Sequence, residues 1–250
     1  MSRRFVLALI VAFAFACAPA AGAKAPPPLV YVELVTAGAA PDEPLPLIVA
    51  VHGLGDRPED FALLLRDLPV KARVIVPRAP TPHGRGFSWF PVRIPYRDDQ
   101  PEMVDGVRSA TGQLVELLER VARARPTLGR PILMGFSQGG ILTFAVVSAR
   151  PGLLSAAFPV AGALPATLWP APVASSTVVH AFHGDADPVV PVSAARQIVA
   201  ELRRQGWDAS IGTFRAVPHA LPPMMRAALS AEIAGAVRRA ALTEGAAPIP

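Results

Sequence analysis

The chain is almost without cysteine. Cys17 is the only one in 250 residues, so no internal disulfide can form and no zinc site can be built on cysteines. Lysine is nearly as scarce, with Lys24 and Lys71 standing against 22 arginines. A net charge of +5 and a pI of about 10.3 invite a nucleic-acid reading. The arginines lie singly or in pairs, however, with no block of five like charges. A solvated surface accounts for them, and no nucleic-acid partner is expected. Charged residues make up 17% of the chain against 52% hydrophobic, the reverse of a disordered composition. The five histidines show no HExxH-type spacing, so neither a metal nor a cofactor is expected.

The N-terminus reads as a targeting segment. Ser2-Arg3-Arg4 gives a positive start, and residues 5–16 follow without a charge or a breaker. Twelve helical residues rise about 18 Å, against a hydrocarbon core of about 30 Å. That is the length of a signal-peptide core. The small-residue pattern Ala21-Gly22-Ala23 would release a mature chain at Lys24, while Cys17 after Ala16 offers the alternative of a lipidated first residue. An exported protein is expected, periplasmic or secreted, held to a membrane only if Cys17 is lipidated. The organisation that follows is a signal segment at 1–23, a linker with the first strand at 24–44, one domain at 45–243 and a disordered tail at 244–250. The sequence sets no oligomeric state.

In the body, apolar runs of strand length occur at 29–35, 47–52, 73–77, 132–136, 156–160, 177–183 and 209–214. Several are continuous Val/Ile/Leu/Ala runs, the pattern of strands covered on both faces in a parallel sheet. Helical spacing appears between them at 58–68, 102–123, 138–149, 192–205 and 222–241. Strand alternating with helix predicts an α/β fold with a mostly parallel central sheet and helices on both faces. Chemistry in such sheets sits at the carboxyl ends of the strands.

Gly135-Phe136-Ser137-Gln138-Gly139 occupies such an end, between the strand 132–136 and a helix. A sharp turn with small flanking residues exposes the serine oxygen there. A hydroxyl needs a base within reach and a group to orient that base. His219 lies just beyond the strand 209–214 and is the expected base. His52 and His183 precede glycines as turn builders, His180 sits mid-strand, and His83 lies in a Pro/Gly-rich loop. Asp185 and Asp187 in Gly184-Asp185-Ala186-Asp187-Pro188 compete for the orienting role, with Asp187 preferred and Asp185 read as the turn former. Oxyanion donors are expected from the backbone N–H of Gln138, at a helix start, and of Leu54, in the Gly-rich turn after strand 47–52.

His52-Gly53-Leu54-Gly55-Asp56, Ser88-Trp89-Phe90, Gly135 to Gly140, Ala161-Gly162-Ala163-Leu164-Pro165 and His183 to Pro191 follow one another in that order. Together they resemble the phospholipase/carboxylesterase family of α/β-hydrolases, which includes the acyl-protein thioesterases. The resemblance runs from about Leu45 to the C-terminal helix. It implies an α/β-hydrolase fold and carboxylic ester hydrolysis, with Ser137 as nucleophile, Asp187 and His219 as its partners, and Leu54 and Gln138 as oxyanion donors. The chain departs from the family pattern at Val217-Pro218, before the histidine, and at Pro91, after Trp-Phe.

The stretch 79–101 reads as a long loop without secondary structure, and its aromatics Trp89 and Phe90 are expected to wall the acyl pocket. Leu164, with Leu168 and Trp169, is expected on the other wall. Neither loop is long enough for a large lid, which points to small or medium-chain soluble esters or thioesters. A secreted polymer-ester or feruloyl-type esterase is the nearest alternative. A peptidase would require a second domain that the length does not supply, and a non-catalytic binding protein would be marked by a lost triad member.

Overall fold

In the computed structural model, residues 27–242 are described. The expected signal segment, Cys17 and the tail at 244–250 lie outside the described residues. Seven strands form one sheet in the order β1-β3-β2-β6-β7-β8-β9. These are β1 (Tyr31–Val35), β2 (Leu45–Val51), β3 (Arg73–Pro77), β6 (Thr127–Phe136), β7 (Ala156–Val160), β8 (Val178–Gly184) and β9 (Ala209–Phe214). Only the edge strand β1 is antiparallel, to β3; every other pairing in this sheet is parallel.

Alternation along β2 builds two cores at once. Leu47, Val49 and Val51 face one apolar cluster, Ile48 and Ala50 the other, and all five are fully buried. On the first face lie α2 (Pro101–Ala124), α3 (Gln138–Ala149) and α4 (Val192–Arg204). On the second lie α1 (Pro58–Ala62) and α5 (Pro223–Leu242). In α2 the buried residues Val107, Leu114, Leu117, Leu118 and Val121 form one stripe behind Pro101 at the first turn. α3 has no polar stripe; ten consecutive residues from Gln138 to Val147 are buried. It is the helix that runs through the core, with its N-terminus at Ser137.

Three expectations change in detail. The helix expected at 58–68 stops at Ala62, and the chain continues to Leu68 in tight turns such as Leu65 N–H to Ala62 O, 3.0 Å. Those turns still bury Phe61, Leu65 and Leu68 while leaving Leu63 and Leu64 exposed. β6 begins at Thr127 rather than Ile132, because a bulge absorbs the breakers Gly129 and Pro131: Pro46 pairs with Leu128, yet Ile48 pairs with Ile132. The stretch 79–101 is not featureless. It contains a hairpin of β4 (Thr81–His83) and β5 (Gly86–Ser88), whose three-residue strands are too short for period-two alternation to show.

Candidate active site

Ser137 sits at the turn between β6 and α3 with φ 56° and ψ −114°, a conformation that non-glycine residues rarely adopt. Its N–H donates to the Val160 carbonyl, 2.9 Å, and its carbonyl accepts from Ile141, 2.9 Å, so the turn is pinned on both sides. The glycines around it are required by close approach. A Cβ at Gly135 would collide with the carbonyl of Gly139, and one at Gly139 with the carbonyl of Val51.

The structure brings Ser137, His219 and Asp187 together from the ends of three strands. His219 Nε2 lies 2.8 Å from Ser137 Oγ, and His219 Nδ1 lies 2.7 Å from Asp187 Oδ2. An ionised carboxylate only accepts, so Nδ1 carries the proton and Nε2 is left bare toward the serine hydroxyl. The Asp187 side chain is fully buried, whereas that of His219 is 16% exposed. Oδ1 of Asp187 accepts the N–H groups of Val189 and Val190 at 2.8 and 2.9 Å. Burial pushes the Asp187 pKa up, but the adjacent His183 imidazole and the hydrogen bonds from His219 and Val190 outweigh it. The carboxyl is held well below its ordinary range and stays ionised. His183, 3.4 Å from Asp187, donates through Nε2 to the Val190 carbonyl at 2.8 Å, clamping the loop that carries the carboxylate.

Asp185 has a different task. It is exposed, and its Oδ1 accepts the N–H of Ala216 at 2.6 Å in the loop leading to His219. Val217, one of the departures from the family pattern, is buried there, and its carbonyl accepts the N–H of Ala186 at 3.2 Å. The loops of Asp187 and His219 are therefore tied directly to each other.

A cavity of about 190 Å³ opens at Ser137, lined by Leu54 and Gln138 together with Val92, Ile94, Tyr96, Ile141, Val189 and Val190. Leu54 and Gln138 thus stand beside the serine at the cavity wall. Trp89, Phe90 and Leu164 do not line this cavity. Trp89 and Phe90 are each 3% exposed and lie in the core, where the Gln138 side chain anchors them. Gln138 Oε1 accepts the Trp89 N–H at 2.9 Å, and Nε2 donates to the Phe90 carbonyl at 2.7 Å. Leu164 is also buried, its carbonyl accepting from Trp169 Nε1 at 2.9 Å. Leu168 and Trp169 line a larger cavity of about 460 Å³ between α2 and α3, which shares no residue with the serine site. Large aromatics in a loop gain more from full burial than from facing a small open cleft, which is why composition alone misplaced them. Three of the missed wall residues carried a sequence signal. Ile141 is four residues after Ser137, one turn along the same helix face, and Val189-Val190 directly follow Asp187-Pro188.

The β4–β5 hairpin supports the turn that carries Leu54. Gly55 N–H donates to the Phe87 carbonyl at 2.8 Å, and Phe87 N–H donates to the Asp56 carbonyl at 3.1 Å. Gly86 lies so close that a Cβ would collide with the carbonyl oxygens of Gly55 and Asp56. Gly86→Ala is therefore expected to lower the melting temperature by several degrees, for a loss of about 1–3 kcal/mol. It should also reduce kcat more than it raises KM, as steady-state kinetics beside a thermal melt would show.

Among the described residues, no three of His, Cys, Asp and Glu are grouped to hold a metal ion, and no helix is long and apolar enough to cross a membrane.

A family model described as Phospholipase/Carboxylesterase matches residues 33–234. Esterase YpfH of Escherichia coli (strain K12) is 27% identical over 192 residues, covering 72% of this chain and 79% of that protein. The crystal structure of esterase PE8 superposes with a TM-score of 0.71 at 26% identity, covering 82% of this chain and 98% of PE8. Zea mays acyl-protein thioesterase 2 shares the fold, with a TM-score of 0.65 at 21% identity over 82% of this chain and 99% of its own. The β-strand order, the parallel sheet and the match over most of the length agree with the resemblance carried by the motifs. The chain belongs to the phospholipase/carboxylesterase family, with a single α/β-hydrolase domain, and is a carboxylic ester hydrolase.

Proposed function

We propose that the protein is a serine hydrolase that cleaves small or medium-chain carboxylic esters or thioesters through an acyl-enzyme, outside the cytoplasm. The observation that carries the reading is the unbroken chain Asp187–His219–Ser137, with bonds of 2.7 and 2.8 Å, opening on an apolar cavity of about 190 Å³. The bare Nε2 of His219 takes the Ser137 proton as Oγ attacks the carbonyl carbon, and Asp187 stabilises the imidazolium that forms. The developing oxyanion is met by the N–H groups of Leu54 and Gln138. The second of these stands at the first turn of α3, where the helix dipole adds to it. Collapse of the tetrahedral species expels the alcohol or thiol with the proton from His219, and water repeats the sequence to release the acid. No cofactor enters any step.

The size of the cavity and its walls of Val92, Ile94, Ile141, Val189 and Val190 support a short apolar acyl group. Export is supported by the positive start and apolar run before Lys24. A fluorophosphonate probe is expected to label Ser137 alone, read by peptide mass, and graded p-nitrophenyl esters should peak at short chains. Preference for feruloyl or polyester substrates over short alkyl esters would favour the polymer-ester alternative. For localisation, the mature N-terminus from fractionated cells should be Lys24, or a lipidated Cys17; recovery of the intact chain in the cytosol would refute export.

A further inference from the structure

The reading of Leu54 as an oxyanion donor leaves open what aims its N–H, and the present inference rests on that reading. His52, at the end of β2, is fully buried. Its Nδ1 lies 2.7 Å from the Gly53 carbonyl oxygen, and its Nε2 lies 3.2 Å from the N–H of Ala79. A carbonyl only accepts and a backbone N–H only donates. Nδ1 must therefore carry the proton and Nε2 must be bare, a single neutral tautomer. Burial holds the imidazole pKa below its ordinary value, although the Gly53 carbonyl and the Asp56 and Glu59 carboxylates pull the other way.

The Gly53 carbonyl and the Leu54 N–H are opposite edges of one planar trans peptide, so fixing one direction fixes the other. We propose that His52 is a positioning residue for ester hydrolysis: its Nδ1–H holds the Gly53 carbonyl so that the Leu54 N–H faces the cavity at Ser137. The remaining contacts brace this peptide and the one before it. Gly53 N–H donates to Asp56 Oδ2 at 3.0 Å, and the Gly53 carbonyl accepts a longer bond from Asp56 N–H at 3.3 Å. The His52 carbonyl in turn accepts from Trp89 Nε1 at 3.0 Å, which gives that buried aromatic a place in the support. A glycine at position 53 lets this peptide rotate more easily than any other residue would, so an external hold on its carbonyl has something to restrain.

An oxyanion donor acts in the transition state and little in the ground state, so misaiming it lowers kcat and spares KM. His52→Asn places an amide nitrogen near the position of Nδ1 and keeps a donor for the Gly53 carbonyl. His52→Gln places its amide near Nε2 and loses that donor. Both remove the ring, so damage to packing is shared and the split between them reports the bond. The Gln variant is expected to lose about 30–100-fold in kcat at nearly constant KM. The affinity of a trifluoromethyl ketone, which mimics the tetrahedral oxyanion, should fall by the same factor. The Asn variant should recover most of both. Equal losses in the two variants, or losses that follow only the melting temperature, would overturn the proposal. Should neither variant fold, Trp89→Phe frees the carbonyl end of His52 alone. It is expected to lower kcat about fivefold at constant KM, and an unchanged kcat there would also overturn the proposal. Activity retained by Ser137→Ala would instead sink the serine reading beneath it. An inactive Ser137→Ala beside a flat series at position 52 would sink only this inference.

Discussion

Ser137→Ala is expected to reduce kcat for a short-chain p-nitrophenyl ester by about four to six powers of ten. The hydroxyl oxygen is the only heavy atom removed, and the backbone of the turn stays held by Val160 and Ile141, so the fold should persist. Ser137→Gly makes a sharper companion. Position 137 has φ 56°, which costs a residue with a Cβ about 1–3 kcal/mol that glycine does not bear. The Gly variant should therefore be equally inactive and melt above the Ala variant. Retention of a tenth of the activity in either protein would assign the chemistry to another nucleophile. A Gly variant that melts below the Ala variant would show that the turn is not strained.

Asp187→Asn carries the second large effect. In the parent, Oδ1 is committed to the N–H groups of Val189 and Val190, and Oδ2 faces Nδ1 of His219. An asparagine that keeps its oxygen on the two backbone donors must turn its NH₂ toward His219. Two donors cannot face each other, so the imidazole moves its proton to Nε2 and can no longer accept one from Ser137. A loss of at least about a hundredfold in kcat is expected, with the melting temperature shifted by a few degrees at most. Asp185→Ala gives the contrast. It removes one exposed bond to Ala216, so about 1 kcal/mol of stability should go while kcat falls less than about tenfold. Reversed penalties would transfer the orienting role to Asp185 and leave the Ser137–His219 pair in place.

The alternation of continuous apolar runs with helical spacing determined, from the sequence alone, a parallel sheet covered on both faces. Strands buried on both sides carry no competing polar pattern, so β2, β3 and β7 were legible within a residue or two. The same holds for Ser137, Asp187 and His219. Each sits where a strand ends, and the local turn chemistry that places them is written in neighbouring residues. Boundaries failed where tertiary contacts override local preference. β6 runs through Gly129 and Pro131 because pairing with Leu45 and Pro46 makes a bulge worth forming. The helix begun at Pro58 breaks into turns that still bury Phe61, Leu65 and Leu68.

The sequence left Asp185 and Asp187 in competition, with Asp187 preferred, since both carboxylates share one loop. The direction of that loop is decided by contacts with residues 214–217, some thirty positions away. The placing of Trp89 and Phe90 away from the pocket lay beyond the sequence for the same reason. Whether an aromatic in a loop faces a cleft or the core depends on partners such as Gln138 and His52, which only the closed fold brings to Trp89. The identity of a reacting group is local chemistry at a strand end, whereas the shape of the space in front of it is a sum over distant segments.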